Sequence, residues 1–253
     1  MDDLDLKHAR LDAIIQSYGA EVALAFSCYD ENSFLLVYAK RLLGSGLFAL
    51  QADAEIFTKE DRLLCQSIVR GMGIELFTVP VRLMHEFDFA VNDEKRCYFC
   101  RRFVLGSMVK AARSVGAQNI IIGITADALA RQLYVAEVLE SFGVSAPLAE
   151  AGLTTADIDA LALQTNITLP EGGRCMAERV PLGMPLDDAT MQFLGDAEAL
   201  LRGYGLKGAR VEIIDDHKAQ IVRYKSCVAL DTDAKDEIMA FMRARNFDIV
   251  NLN

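Results

Sequence analysis

The chain has 253 residues, of which 52% are hydrophobic and 25% charged, and its formal net charge is −10. This composition is typical of a folded globular protein and excludes a disordered or collagen-like chain. The acidic excess argues against broad contact with nucleic acid, because clustered Lys and Arg normally neutralise the phosphates. No apolar run reaches the ~18 residues of a membrane span, and the N-terminus lacks the order of a signal peptide. We therefore expect a cytoplasmic protein that binds neither nucleic acid nor membrane.

Apolar strands and helical segments alternate along the N-terminal half. Residues 7–18 have apolar positions at helical spacing, and the apolar run EVALAF (21–26) that follows is typical of a buried parallel strand. Further helix and strand candidates then alternate: FLLVYAKRLLG (34–44), GLFALQA (46–52), TKEDRLLCQSIVRGMG (58–73), IELFTVPV (74–81), FVLGSMVKAARSVG (103–116) and NIIIGI (119–124). This pattern predicts an α/β fold with a parallel, Rossmann-like sheet that helices cover on both faces.

The rest of the chain predicts a second, smaller domain. Helical patterns at 129–142 and 153–164 are followed by EGGRC (171–175), whose Gly pair indicates a loop and a domain boundary. Beyond it lie helix candidates near 187–203 and 234–245, the strands ARVEIID and AQIVRY joined by DDHK, and a final strand FDIVNL. We assign residues 1–170 to the parallel α/β domain and residues 171–253 to a small α+β domain.

One close cysteine pair suggests a metal or redox site. In a cytosolic chain, six cysteines are more often reduced thiols, metal ligands or catalytic groups than disulfides. Cys97 and Cys100 form a CxxC pair with arginines on both sides, and positive charge favours the thiolate that binds metals. Two thiolates leave a metal site incomplete, however, and two half-buried packing thiols would give the same pattern.

The remaining cysteines differ in their surroundings. Cys175 lies in the Gly-rich loop beside Arg174, where reactivity is plausible, and it is the best candidate for a third ligand. Cys65 falls among apolar helix residues and Cys227 follows a strand, so we interpret both as packing residues.

Five short segments follow one another along the chain: AFS (25–27), NDEKRCYFC (92–100), GITAD (123–127), SAPLAEAGLTTADI (145–158) and CMAERVPLG (175–183). In this order they resemble the LarE family, the sulfur transferases that build the thiolated pyridinium nucleotide of the nickel-pincer cofactor. The resemblance runs along nearly the whole chain. It implies an N-terminal ATP-pyrophosphatase (PP-loop, adenine nucleotide α-hydrolase) domain, a small C-terminal domain and a homo-oligomer.

The resemblance also implies roles for the cysteines. Cys175 matches the sulfur-donating, catalytic cysteine of the family. Members that also carry the CxxC pair hold a [4Fe-4S] cluster with three cysteines, which implies Cys97, Cys100 and Cys175 as the ligands here. Three thiolates leave one iron free to carry an extra sulfide to a small-molecule acceptor.

The nucleotide loop departs from the family. The family's loop resembles SGGxDS, and the matching residues here are Ser27, Cys28, Tyr29, Asp30, Glu31 and Asn32. Side chains replace the two glycines that let backbone N–H groups approach a pyrophosphate, and carboxylates add like charge. We therefore do not expect ATP and Mg²⁺ to bind in the family manner. Cys28 is either a fourth thiolate that closes the cluster or a loop thiol without a ligand role.

The phosphate-binding positions also differ. The resemblance implies Arg179 and Arg210 as substrate-binding residues, but Glu178 and Glu212 stand where the family has a small hydroxyl residue and an arginine. These carboxylates either weaken phosphate recognition or pair with local arginines on the surface. Asp127, after a predicted strand, is a candidate Mg²⁺ ligand or the cap of the next helix.

The sequence thus predicts a LarE-like sulfurtransferase that delivers sulfide from a three-cysteine [4Fe-4S] cluster without family-type use of ATP. The alternative is a non-catalytic metal or iron–sulfur binding paralogue with a regulatory or scaffolding role. An intact ATP-dependent adenylating enzyme is disfavoured by the altered loop.

Overall fold

The computed structural model describes residues 3–27, 30–167, 175–223 and 229–251. The chain divides into two units. The N-terminal unit comprises Met1–Ala54, Glu60–Val81 and Cys97–Gly172, and the C-terminal unit comprises Glu55–Lys59, Arg82–Arg96 and Gly173–Asn253. Two short segments from the first half of the chain therefore belong to the C-terminal unit. The boundary predicted between residues 170 and 171 lies outside the described residues.

Four parallel strands form the sheet of the N-terminal unit, in the spatial order β3-β2-β1-β4. They are β1 (Val22–Phe26), β2 (Leu47–Asp53), β3 (Glu75–Pro80) and β4 (Asn119–Ile122). Val22 of the central strand β1 pairs with Leu47 of β2 and with Asn119 of β4. All five residues of β1 are buried, as expected for a parallel strand that is covered on both faces. The predicted α/β fold with a parallel sheet is confirmed.

The helices of the described residues lie in both units, and α4, α10 and α11 belong to the C-terminal unit. In chain order they are α1 (Asp3–Ser17), α2 (Asp30–Leu43), α3 (Lys59–Gly71), α4 (Phe87–Ala90), α5 (Arg96–Ser114), α6 (Ala126–Arg131), α7 (Leu133–Phe142), α8 (Pro147–Glu150), α9 (Thr155–Thr165), α10 (Asp188–Gly203) and α11 (Thr232–Arg243). Short 3₁₀ turns span Gly44–Gly46, Leu83–His85 and Met176–Arg179. Within the described part of the chain, every helix is too short or too polar to cross a membrane.

The core of the N-terminal unit lies between β1 and the helices that pack on it. Leu11 of α1, Phe34 of α2 and Leu161 of α9 are fully buried together with Leu24 and Phe26 of β1. Complete burial of a Leu or Phe side chain contributes about 1.5–3 kcal/mol. This packing fixes the carboxyl end of β1, from which the predicted nucleotide loop starts.

One predicted helix is broken in two, and another begins with a complete capping box. The helical pattern at 129–142 is two helices, because Gln132 leaves the helical region (φ −129°, ψ 74°) and its N–H donates to Leu129 O at the end of α6. Helix α9 begins with a complete capping box. Thr154 Oγ1 accepts from the Asp157 N–H at 3.2 Å, and Asp157 Oδ2 accepts from the Thr154 N–H at 2.9 Å.

The C-terminal unit has a small mixed sheet in the order β5-β6-β7. Its strands are β5 (Arg210–Asp215), β6 (Lys218–Val222) and β7 (Asp248–Ile249). The predicted hairpin is present, because β5 and β6 pair antiparallel and the His217 N–H donates to Asp215 Oδ1 in the turn. The last strand is shorter than predicted and runs parallel to β6. The small α+β domain predicted after the parallel sheet is confirmed as a fold class.

Candidate functional site

The CxxC pair lies in the first two turns of α5. Cys97 and Cys100 are three residues apart and therefore share one helix face. Neither forms a disulfide with a described residue, and Cys97 is exposed whereas Cys100 is half-buried. Tyr98, between them, packs edge-on against Phe99 and Tyr134, with ring centroids 5.3 Å and 6.2 Å apart. The pair is thus open to solvent on a regular helix with an aromatic cluster beside it.

Cys175 stands at the head of the 3₁₀ turn Met176–Arg179 in the C-terminal unit. Its thiol is half-buried and forms no disulfide with a described residue. The next residue anchors the turn, because Met176 is buried and its N–H donates to Ile56 O at 3.0 Å. The backbone at Cys175 is therefore held by packing on one side.

The described residues do not bring enough possible ligands together to bind a metal ion. Within residues 3–27, 30–167, 175–223 and 229–251, no group of three or more His, Cys, Asp or Glu side chains could hold a metal ion. Cys28 and Cys227 lie outside the described residues. Cys65 is 3% exposed within the hydrophobic core, as a packing residue would be. Cysteine thiolates are the usual ligands of iron–sulfur clusters, but the structure does not bring Cys97, Cys100 and Cys175 into one such group, so their convergence on a cluster stays a prediction.

The segment that leads into the CxxC pair is tied to the segment that follows Cys175. The side chain of Asn92 is fully buried, and its Nδ2 donates to Pro181 O at 2.9 Å and to Met184 O at 2.7 Å. Its Oδ1 accepts from the Arg96 guanidinium at 2.7 Å. The same guanidinium donates to Val180 O at 3.2 Å. Both segments belong to the C-terminal unit.

The predicted substrate-binding residue Arg179 lies in an interior ion pair. Its side chain is 5% exposed and bonded to Glu198 of α10, whose side chain is 4% exposed. Glu198 Oε1 also accepts from the Val211 N–H at 3.1 Å. Burial raises the pKa of Glu198 above its usual range, against the opposing effects of Arg179 and of the Val211 N–H. In this position Arg179 joins the 3₁₀ turn to α10.

Arg210 and Glu212 share the half-buried face of β5. The burial pattern of β5 alternates, with Val211 and Ile213 buried on the opposite face. Glu212 Oε2 accepts from Gln220 Nε2 at 2.9 Å across the hairpin. Glu212 thus has a local partner, although this partner is a glutamine and not one of the arginines that we considered. Glu178 is exposed on the 3₁₀ turn.

Ser27 and Asn32, the first and last residues of the predicted nucleotide loop, are hydrogen-bonded within the protein. Cys28 and Tyr29 lie outside the described residues, as does the Asp30 side chain. Asn32 is 8% exposed, and its Nδ2 donates to Ser27 Oγ at 3.2 Å. Asn32 Oδ1 accepts from the Gly123 N–H at 3.0 Å. Both ends of this amide are therefore engaged at the carboxyl edge of the sheet.

Asp127 lies inside α6 and bonds to the start of α9, so it does not cap the next helix in the chain, which was one of the two roles considered for it. Asp127 Oδ1 accepts from the N–H of Thr155, the first residue of α9, at 3.0 Å, and Oδ2 pairs with Arg131 at 2.9 Å. Burial by itself raises the pKa of this carboxyl. Hydrogen bonds from Thr125 and from the Thr155 N–H outweigh burial and lower the pKa to about 2.

Sequence reasoning did not predict the contacts of Asn92, Asn32 and Glu198, which organise the surroundings of the predicted sites. Asn92 has a left-handed backbone (φ 59°), in which Asn is enriched among non-glycine residues, but the sequence alone does not show that conformation. Asn32 bonds to Gly123 and Glu198 bonds to Val211, 91 and 13 residues away in the chain, and no local pattern indicates these contacts.

Comparison with known proteins leaves the family open. No protein-family model matches the chain. It is similar to the uncharacterized protein slr1717 of Synechocystis, with 24% identity over 209 residues that cover 80% of this chain and 77% of that protein. The similarity spans most of both chains, and the relative's name states no activity.

Proposed function

We propose that this protein is a LarE-like sulfur transferase. It holds a [4Fe-4S] cluster with Cys97, Cys100 and Cys175 and delivers sulfide to a small-molecule acceptor. The observation that carries the proposal is the hydrogen bond from Arg96 to Val180 O. Arg96 directly precedes Cys97 and Val180 ends the turn that Cys175 opens, so this bond joins the segment before the CxxC pair to the segment after Cys175, both in the C-terminal unit.

The properties of the cysteines support the same proposal. None of the three is fully buried or joined in a disulfide to another described residue, and thiolates are the ligands of iron–sulfur clusters. A [4Fe-4S] cluster with three protein ligands supplies an iron with an open coordination position, which is the chemistry needed to carry a labile sulfide. The protein places the two CxxC cysteines on one face of α5. The hydrogen bond from the Met176 N–H to Ile56 O holds the turn that Cys175 opens.

We propose further that the transfer proceeds without family-type use of ATP. A phosphate at this edge of the sheet would be bound by free backbone N–H groups and loop side chains. Here the Gly123 N–H donates to Asn32, and Asn32 donates to Ser27. A nucleotide would have to replace these bonds before it gained its own.

Iron content tests the proposal. The full-length protein, purified without oxygen, should contain about four iron and four acid-labile sulfide ions per chain and absorb broadly in the visible. The Cys97→Ala, Cys100→Ala, Cys175→Ala triple variant should contain neither, whereas Cys227→Ala serves as a matched cysteine control and should keep both. Bound zinc without visible absorbance would contradict the proposal.

The alternative, a non-catalytic iron–sulfur protein, has one observation in its favour. Arg179 is buried against Glu198 and is not presented to a substrate phosphate. Radiolabelled sulfide separates the two functions. An open cluster should take up about one additional sulfide per chain, whereas a cluster with a fourth thiolate, for which Cys28 is the candidate, should take up none.

A further inference from the structure

The parallel sheet of the N-terminal unit has an open edge at β3. Among the described strands, β3 pairs only with β2. Directly after β3, the Val81 N–H donates to Asp53 O of β2 at 3.0 Å. Backbone groups of successive strand residues point to alternate sides, so the N–H and C=O groups of Leu76 and Thr78 point away from β2.

Two features limit this open edge to a short central section. Pro80 has no N–H to donate, and edge strands are where proline occurs within sheets. The Ile74 N–H is already bonded to Val69 O at 3.1 Å. Leu76 and Thr78 thus supply the backbone donors that the edge of β3 presents.

One face of α3 borders this edge. A groove with a volume of about 430 Å³ is lined by Gln66, Arg70, Gly73, Ile74, Leu76 and Thr78. Helical spacing places Glu60 and Leu63 on the same face of α3 as Gln66 and Arg70. Leu63 is 52% exposed there, whereas Cys65 and Val69 of α3 are buried in the core. The edge of β3 and this face of α3 therefore form one continuous surface.

Charge along this face reverses from one end of α3 to the other. Glu60 lies in the first turn of α3 and Arg70 in its last turn. A two-fold axis that sets one α3 antiparallel to another therefore brings each Glu60 toward the Arg70 of the other copy. The surface is complementary to itself, as the interface of a two-fold symmetric dimer must be.

We propose that the edge of β3 and this face of α3 form the interface with a second copy of the chain. The two β3 strands pair antiparallel around Phe77, so that Leu76 of each copy and Thr78 of the other exchange both N–H···O bonds. Pro80 then lies opposite Ile74, where no donor is lost, because the Ile74 N–H is already bonded and Pro80 has none. The inference is independent of the proposed function.

Thr78→Pro tests the backbone pairing. It removes the outward N–H and leaves the bonds between β3 and β2 in place, whereas the matched control Thr78→Ala keeps the N–H. Sedimentation velocity of the parent should show a dimer with twice the chain mass of 27.9 kDa. We expect Thr78→Pro to raise the dissociation constant of the dimer at least about tenfold, because each copy loses a backbone donor. Thr78→Ala should stay within about threefold of the parent.

Charge reversal tests the pairing of the helices. Arg70→Glu sets like charges against each other across the interface, so the dissociation constant should rise at least about tenfold. Adding Glu60→Arg to this variant restores opposite charges and should bring the dissociation constant back toward the parent's value. Arg113→Glu is the matched control, because Arg113 is an exposed arginine in the last turn of α5, and it should leave the dimer unchanged.

A parent that sediments as a monomer would overturn the inference. A dimer that neither Thr78→Pro nor Arg70→Glu weakens would also overturn it, since the two copies would then meet elsewhere. If circular dichroism shows that Thr78→Pro is unfolded, the charge variants decide. Recovery of the dimer in the double variant supports the interface, and failure to recover contradicts it. Each of these outcomes leaves the proposed function as it stands.

Discussion

Substitution of Gly123 by alanine tests the close packing of α2 on the end of β4. A Cβ at residue 123 would lie 2.8 Å from Asn32 N, from Asn32 Cα and from Glu31 O. All three are backbone atoms, so no side chain can rotate away. Since ordinary contact begins at 3.4 Å, the start of α2 must move by about 0.6 Å, the difference between the two distances.

The expected cost has two parts. Overpacking of a filled interior costs about 1–3 kcal/mol. The same movement weakens the bond from the buried Gly123 N–H to Asn32 Oδ1, which adds about 1 kcal/mol. We therefore expect Gly123→Ala to lower the free energy of unfolding by about 2–4 kcal/mol. For a protein of this size the melting temperature should fall by roughly 5–15 °C.

Calorimetry of the parent and of two glycine variants decides this prediction. Gly195 is the matched control, because it lies inside α10 and an added Cβ there meets nothing within 4 Å. Gly195→Ala should raise the free energy of unfolding by about 0.5–1 kcal/mol, opposite in sign to Gly123→Ala. A Gly123→Ala protein as stable as the parent would refute the account of a loop closed by its own contacts.

Three further predictions concern charges and the nucleotide. Asp127→Ala should lower the free energy of unfolding by about 1 kcal/mol. The pKa of Asp127 in the folded protein, about 2, lies below the usual 3.8, so the stability difference between parent and variant should hold above pH 3.8 and vanish as the pH falls through 2. Urea unfolding at a series of pH values measures this difference. Glu198→Ala removes the ion-pair partner of buried Arg179 and should cost about 3 kcal/mol or more, whereas Ala at exposed Glu178 should change stability by less than about 0.5 kcal/mol. Calorimetric titration with Mg-ATP should give a Kd weaker than about 1 mM, and a tighter Kd contradicts the closed loop.

The sheet is predictable from the sequence because its chemistry is local. A strand covered on both faces must be apolar throughout, and Val22–Phe26 satisfies that condition with five buried residues. The hairpin between β5 and β6 is likewise indicated by two alternating strands around a polar turn. The break at Gln132 is not indicated, since the helical pattern continues through it.

The surroundings of the candidate site depend on contacts that are distant in the chain. The CxxC pair is visible as a motif, but Asn92 acts on carbonyls about 90 residues away. No local pattern encodes which carbonyls a buried amide will meet. Similarly, the family resemblance implied that Arg179 binds substrate, and the burial of Arg179 against Glu198 follows only from the packing of α10.

The central claim is that Cys175 belongs to the same cluster as the CxxC pair. The most direct measurement is iron per chain in anaerobically purified Cys175→Ala, compared with Cys97→Ala and with the parent. A cluster held by all three thiolates depends on each of them, so both variants should contain well below half of the parent's iron. Full iron in Cys175→Ala together with its loss in Cys97→Ala would show that Cys175 lies outside the cluster and would contradict the account.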